Sequence, residues 1–264
     1  MDGKIRAVVF DLDGCLYIGD SPVEGAAMAV DTLRRRGYRL VFLTNNSTLT
    51  RRSYSEKLSR MGIKADEDEI ITSGVVAARY LSRTSPSARI LPVTEEGFIE
   101  EARQLGLEIL EIEDWRRATH VVSGLDRRLT YHKLSRACRA ILSGARYLCT
   151  NPDNIYPSED GLDPGAGAIA AAISKATGVE PLILGKPYDA CAREVLIHLD
   201  VPPDTVVYVG DRLDTDIGLA RRAGGVGVLV KTGLYEYIRA GDVEPDYVID
   251  SVADLPGLLE EKLL

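Results

Sequence analysis

The chain alternates short continuous apolar runs with longer stretches that carry an apolar residue at every third or fourth position. "IRAVVF" (5–10), "YRLVFLT" (38–44) and "DTVVYVGD" (204–211) are of the first kind, as strands covered on both faces should be. "PVEGAAMAVDTLRRRG" (22–37), "TRRSYSEKLSRMG" (50–62) and "DIGLARRAGG" (216–225) are of the second kind and predict helices. Strand, helix and strand in succession build a parallel sheet with right-handed crossovers. The same grammar occurs at both ends of the chain, and "VGVLVKTG" (226–233) completes its second occurrence.

Between the two ends, the polar "SRTSPSA" (82–88) reads as a linker, and a further α/β unit follows. Its strands are expected at 89–94, 107–112, 120–125 and 146–151, and its helices near 95–105, 130–144 and 165–177. Neither end of the chain makes a complete sheet alone. The simplest organisation is an α/β fold with a discontinuous, Rossmann-like parallel-sheet core (1–83 and 181–264) and an inserted α/β cap (84–180).

Composition narrows the function classes. With 45% hydrophobic and 27% charged residues the chain is an ordinary packed protein. A formal charge of −8 argues against a nucleic-acid surface, which needs clustered Lys and Arg. No apolar run approaches the length of a membrane span, and the start "MDGKIRAVVF" lacks the apolar region of a signal peptide. Four cysteines without a CxxC pair point to a reducing, cytoplasmic setting.

The candidate chemistry lies where strands end, which is where open α/β sheets place ligands. "VVFDLDG" carries Asp11 and Asp13 beyond the first strand. A calcium loop is excluded, because positions six and twelve counted from Asp11 are Leu16 and Pro22; a plain Asx turn stays open. "LTNNS" ends the second strand in Thr44, Asn45 and Asn46, groups that suit an anionic oxygen or equally a helix cap. "LILGKP" ends in Lys186, either facing an anion or solvated, and "YVGDRLDTDIG" supplies Asp211, Asp214 and Asp216. So many acids in one place require a cation, and oxygen ligands with few histidines favour Mg²⁺ over zinc.

Taken together these strand ends form an inventory for phosphoryl transfer. Metal and Lys186 neutralise the phosphate, Thr44 and backbone N–H groups hold its oxygens, and a carboxylate attacks. Asp11, at the strand end, is the candidate nucleophile, and Asp13, on the loop, the candidate proton carrier.

In this order, "DLDGCL", "LTNNS", "GKP" and "GDRLDTDI" resemble the motifs of the haloacid dehalogenase superfamily of phosphatases. "FLTNNST", "GLDRRLTY", "TNPD" and "PGAGAI" are similar to its p-nitrophenyl phosphatase-like, NagD-like branch, which carries a large α/β cap of type C2. The resemblance implies a nucleophilic Asp11, an acid and base at Asp13, and substrate binding by Thr44, Asn45 and Lys186. It also implies Mg²⁺ held by Asp11, the Asp13 carbonyl and Asp211, with Asp216 orienting a metal-bound water or Lys186.

The implied activity is Mg²⁺-dependent hydrolysis of a small phosphorylated metabolite through an aspartyl-phosphate. A nucleotide, phosphoglycolate, glycerol phosphate or pyridoxal phosphate would fit, and a homodimer is not excluded. A dehalogenase would not need Asp13, because halide leaves without a proton. A sugar-phosphate mutase stays open on the same core, and a non-enzymatic phosphoacceptor switch is disfavoured by the length of the chain. Cys15 reads as a packed small residue rather than a reactive thiol. "GAGAIA" (165–170) lacks the strand that a dinucleotide site needs, and Asn151 to Asp153 are candidate contacts for the leaving group.

Overall fold

A computed structural model describes residues 4–158, 161–233 and 243–262. The chain opens with β1 (Ala7–Asp11), a short antiparallel hairpin of β2 (Tyr17–Ile18) and β3 (Ser21–Pro22), and α1 (Ala26–Arg35). The helix expected from residue 22 therefore starts four residues later, because Pro22 is paired in the hairpin and Gly25 takes a left-handed φ of 77° at the helix start. β4 (Arg39–Thr44), α2 (Arg51–Arg60), β5 (Ile70–Thr72) and α3 (Ser73–Thr84) follow. α3 continues into the segment expected to be a linker, and only 85–88 are left to connect it to the next strand.

The central part contains β6 (Arg89–Val93), α4 (Glu96–Gln104), β7 (Glu108–Ile109), β8 (His120–Ser123), α5 (Tyr131–Leu142) and β9 (Arg146–Cys149). It continues with a hairpin of β10 (Ile155–Ser158) and β11 (Gly161–Pro164), then α6 (Ala166–Thr177) and β12 (Leu182–Ile183). The strand expected over 107–112 is cut to two residues because a 3₁₀ turn (Ile112–Arg117) buries Trp115. Within the 150–172 motif, Glu159 and Asp160 lie outside the described residues.

The last part runs α7 (Asp189–Leu199), β13 (Val206–Gly210), α8 (Gly218–Ala223), β14 (Val226–Val230), β15 (Tyr247–Ile249) and α9 (Leu255–Lys262). A π-helical turn (Leu213–Ile217) occupies the start of the expected helix 216–225, so α8 begins only at Gly218. No helix among the described residues is long and apolar enough to cross a membrane.

Two sheets result. The first has six strands in the order β15-β14-β13-β1-β4-β5, and β1 pairs in parallel with both β4 and β13. β1, β4 and β13 are apolar and almost wholly buried, with Phe10 stacked on Phe42 at 5.9 Å. From β1 the order proceeds to β4 on one side and to β13 on the other. That reversal opens a crevice at the carboxyl ends of β1 and β13, where ligands bind in sheets of this kind. The second sheet, β12-β9-β8-β6-β7, is parallel throughout.

Contacts divide the chain into one unit of Met1–Thr44, Arg51–Ile71 and Lys186–Leu264, and another of Asn45–Thr50 and Thr72–Gly185. α3 falls in the second unit, whereas the sequence reading puts it in the core. Gly74 accounts for this: a Cβ there would lie 3.1 Å from the backbone of Phe98, so α3 seats directly on α4.

Candidate active site

Strand β1 delivers Asp11 to the mouth of the crevice, where it is 9% exposed. β13 ends at Gly210, and Asp211 follows at 1% exposure. The π turn then brings Asp216 back over the strand end, as widened helical turns at functional sites often do. Gly210 permits this, because a Cβ on it would sit 2.2 Å from Asp216 Oδ2. Carboxylate oxygens of Asp11, Asp211 and Asp216 come within 4.8 Å of one another.

Lys186 enters this acid group from the loop before α7. Its Nζ donates to Asp11 Oδ1 at 2.5 Å and to Asp216 Oδ1 at 2.7 Å. The other oxygen of Asp216 accepts the Arg212 backbone N–H at 3.1 Å, so both its oxygens are engaged. Asp214, in the same loop, is held instead by a bidentate pair with Arg212 and stays out of the group.

The charge balance is uneven. Burial raises the Asp11 pKa well above the carboxylate range; Lys186 opposes this, and Asp216 and Asp211 add to it. Lys186 is 3% exposed, and its two acids push its pKa up against the effect of burial. Three buried carboxylates thus gather here and Lys186 pairs with two of them, Asp11 and Asp216, an arrangement that a further cation would relieve.

Asp13 stands on the turn after β1 and is turned differently. Tyr17, four residues on and fully buried, donates its hydroxyl to Asp13 Oδ2 at 3.2 Å. Lys57 on α2 lies 4.1 Å from the centre of the Tyr17 ring. Burial raises the Asp13 pKa, with Lys57, Tyr17 and Lys186 holding it back. Gly14 makes the turn with φ 85°, and a Cβ there would come within 2.4 Å of Asp211 Oδ2.

The remaining sequence candidates divide. Thr44 is buried at the end of β4, one residue past Leu43, which pairs with Asp11. Asn45 belongs to the second unit: its amide donates to Asp153 Oδ2 at 3.0 Å, where Asn151 Nδ2 also donates at 2.8 Å. Cys15 is fully buried and its thiol pKa is pushed well up by burial, so it is packing rather than reactive surface. Tyr17 and Lys57 were missed by the sequence reading; the four-residue step from Asp13 to Tyr17 across a tight turn is the signal that could have found them.

Comparison with known proteins bears on this geometry. Residues 8–108 match the family model described as haloacid dehalogenase-like hydrolase, and residues 183–255 match one described as HAD-hydrolase-like. An acid sugar phosphatase of Staphylococcus epidermidis is 37% identical over 92% of this chain and 93% of its own length. The chain belongs to the haloacid dehalogenase-like hydrolases.

Among solved structures, a hypothetical protein from Pyrococcus horikoshii aligns with a TM-score of 0.91 and 40% identity, covering 97% of this chain and 100% of its own. A p-nitrophenyl phosphatase from Archaeoglobus fulgidus aligns with a TM-score of 0.88 and 35% identity, over 98% and 99%. The two family matches fall on either side of the acid group's own sequence order: Asp11 lies in the first, and Lys186, Asp211 and Asp216 lie in the second.

Proposed function

We propose that this haloacid dehalogenase-like hydrolase is a Mg²⁺-dependent phosphatase that hydrolyses small phosphate monoesters through an aspartyl-phosphate on Asp11. The observation that carries the reading is the meeting of Asp11, Lys186, Asp211 and Asp216 at the carboxyl ends of β1 and β13. The printed activities of the relatives, p-nitrophenyl phosphatase and acid sugar phosphatase, support a phosphate-ester substrate.

The donor set fits a hard divalent cation. Asp11 and Asp211 offer carboxylate oxygens, the Asp13 carbonyl is the third expected ligand, and both oxygens of Asp216 are already taken by Lys186 and Arg212. Bound there, Mg²⁺ would offset the charge of the phosphate and of the acid group. Lys186 balances negative charge on the transferring group, and its bond to Asp216 fixes where its ammonium stands. Thr44, buried at the end of β4, is the residue that would hold a phosphate oxygen.

Asp11 attacks phosphorus, the P–O bond to the leaving group breaks, and Asp13 gives that oxygen its proton. In the second half a water attacks the aspartyl-phosphate, Asp13 takes back a proton, and inorganic phosphate leaves with Asp11 restored. The raised Asp13 pKa suits a group that must carry a proton. The second unit is the cap that selects the alcohol part of the ester, and Asn151 and Asp153 are its candidate contacts.

Two results test this. Phosphate release from a panel of sugar, nucleotide, glycerol and p-nitrophenyl phosphates should stop with EDTA and return with Mg²⁺. Saturating Mg²⁺ should also raise Tm, by about 2.7 kcal/mol of linkage at a hundred times Kd. Metal-independent turnover would remove the cation from the reading.

Asp13→Ala should lose alkyl phosphate hydrolysis by roughly 10²–10⁴-fold. It should lose less with p-nitrophenyl phosphate, whose leaving group departs without a proton. Equal losses on both esters would take the acid role away from Asp13.

A further inference from the structure

The turn after β1 closes on itself through the backbone. Gly14 takes φ 85° and its N–H donates to the Tyr17 carbonyl at 2.8 Å. The N–H groups of Leu16 and Tyr17 both return to the Leu12 carbonyl, at 2.9 and 3.3 Å. Tyr17 therefore comes back beside Asp13 as a bridge pair and continues into the hairpin opposite Pro22. These bonds set the path of the chain at Asp13. They do not set where its carboxylate stands, because the last torsion of an aspartate is broad and roughly two-fold.

The side chain of Tyr17 does that. Its ring is wholly buried, and its hydroxyl donates to Asp13 Oδ2 at 3.2 Å. Among the described residues no other group donates to that carboxylate. The ring is itself held: Lys57 Nζ stands 4.1 Å from its centre and 3.5 Å from Asp20 Oδ1, in the bend between β2 and β3. One ammonium thus ties α2 both to the ring and to the hairpin that carries it.

Engaging one oxygen makes the two unequal. Oδ2 accepts from the phenol whether or not the carboxyl carries a proton, and the proton goes to the oxygen that Tyr17 leaves open. We propose that Tyr17 is a positioning residue for Asp13: its hydroxyl anchors Oδ2, and Oδ1 is the oxygen that gives a proton to the leaving group and takes one back from water. The Oδ1–H bond breaks as the leaving oxygen gains that proton, and the bond from Tyr17 to Oδ2 lasts through the cycle. Proton transfer needs the acid within hydrogen-bonding reach of the ester oxygen. A carboxyl free to rotate would spend part of its time out of that reach.

The kinetic part rests on the phosphatase reading above; the structural part does not. The experiment uses the full-length protein with Mg²⁺ and compares wild type, Tyr17→Phe, Asp13→Ala and the double variant. The substrates are p-nitrophenyl phosphate and whichever alkyl phosphate of the panel above the wild type turns over fastest. Phenylalanine keeps the ring and its contact with Lys57 and removes only the hydroxyl. The readout is kcat/KM, which ends at departure of the alcohol and so leaves out the later hydrolysis of the aspartyl-phosphate.

Tyr17→Phe should lower kcat/KM for the alkyl ester by roughly tenfold or more, as misplacement of a catalytic group does. For p-nitrophenyl phosphate, whose leaving group departs without a proton, the loss should stay within about twofold. In the Asp13→Ala background the hydroxyl has no carboxylate to hold, so adding Tyr17→Phe should change neither substrate further. In crystals, wild-type Asp13 should keep one rotamer with Tyr17 Oη in hydrogen-bonding distance, and in Tyr17→Phe it should leave that position or share it with another.

Equal losses on the two esters would make Tyr17 structural and overturn the proposal. So would a loss from Tyr17→Phe that is the same with and without the Asp13 carboxylate, or an Asp13 side chain that stands alike in both crystals. If Asp13→Ala itself loses equally on both esters, the acid role of Asp13 falls with that part of the phosphatase reading, and the pair of crystal structures still decides whether Tyr17 holds the carboxylate.

Discussion

Asp11→Asn is expected to abolish turnover, by at least about 10⁴-fold, while making the metal-free protein more resistant to heat near neutral pH. The first half follows from the chemistry. A carboxamide has no anionic oxygen to form the acyl-phosphate, and removal of a covalent nucleophile leaves only the catalysis that binding and charge supply. The second half follows from the surroundings. Burial raises the Asp11 pKa, and Asp216 and Asp211 raise it further against the pull of Lys186.

A carboxyl group with a folded pKa above its ordinary 3.8 binds its proton more tightly in the folded state. Folding therefore loses stability as pH rises from that value through the folded pKa. Asparagine carries no such cost, and Lys186 keeps Asp216 as its partner. The gain in Tm should be largest at about pH 8 in EDTA, shrink as pH falls, and vanish in saturating Mg²⁺, where wild-type Asp11 has a cation. Retained kcat would dismiss the nucleophile, and a lower Tm at pH 8 without metal would show that the Lys186 bond outweighs burial and repulsion.

The sheet was legible because strands covered on both faces leave a plain signature. "IRAVVF" and "YRLVFLT" are apolar without alternation, and the residues that end them stand at the crevice. Asp11 and Asp211 could be placed from sequence for the same reason, since each stands where a parallel strand of the first sheet stops; Lys186 instead follows β12 of the second sheet and comes from a loop. Finer placement was not legible. Asp214 and Asp216 are equivalent by spacing, and only the π turn and the competing Arg212 separate them.

Thr44 and Asn45 show the same limit. Adjacent residues leaving a strand point opposite ways, so Thr44 ends the first unit while the Asn45 side chain joins Asn151 and Asp153 in the second. The apolar neighbours of Tyr17 make it look like core, and only its four-residue step from Asp13 marks it as a partner of the site. The β10–β11 hairpin was missed because its strands carry Pro, Asp and Ser in place of an alternating pattern.

The opposite charge change at the same place should have the opposite effect on stability. Lys186→Met keeps most of the buried stem but removes the ammonium, which is expected to cost about 3–5 kcal/mol, the usual loss when one partner of a buried ion pair is deleted. For a chain of this length that is a fall of roughly 10 °C in Tm, and turnover should drop by about 10³-fold, as when a charge-stabilising donor is lost. Its two acids raise the Lys186 pKa, so its contribution is complete below the ordinary lysine value of 10.5 and fades only as pH rises beyond it.

Any pH dependence of the loss between about pH 5 and 8 therefore belongs to the carboxylates that Lys186 leaves behind. Freed of the pull of Lys186, Asp11 takes up a proton more readily, so the variant should recover part of its deficit at the acid end. Adding Asp11→Asn to Lys186→Met should recover more, giving a double variant less destabilised than the sum of the singles. Thermal unfolding of the four proteins in EDTA at both ends of that pH range measures the coupling. If Lys186→Met melts with the wild type at pH 8, or if the two substitutions add without coupling, Asp11 and Asp216 do not share the Lys186 ammonium and the electrostatic account of this site is wrong.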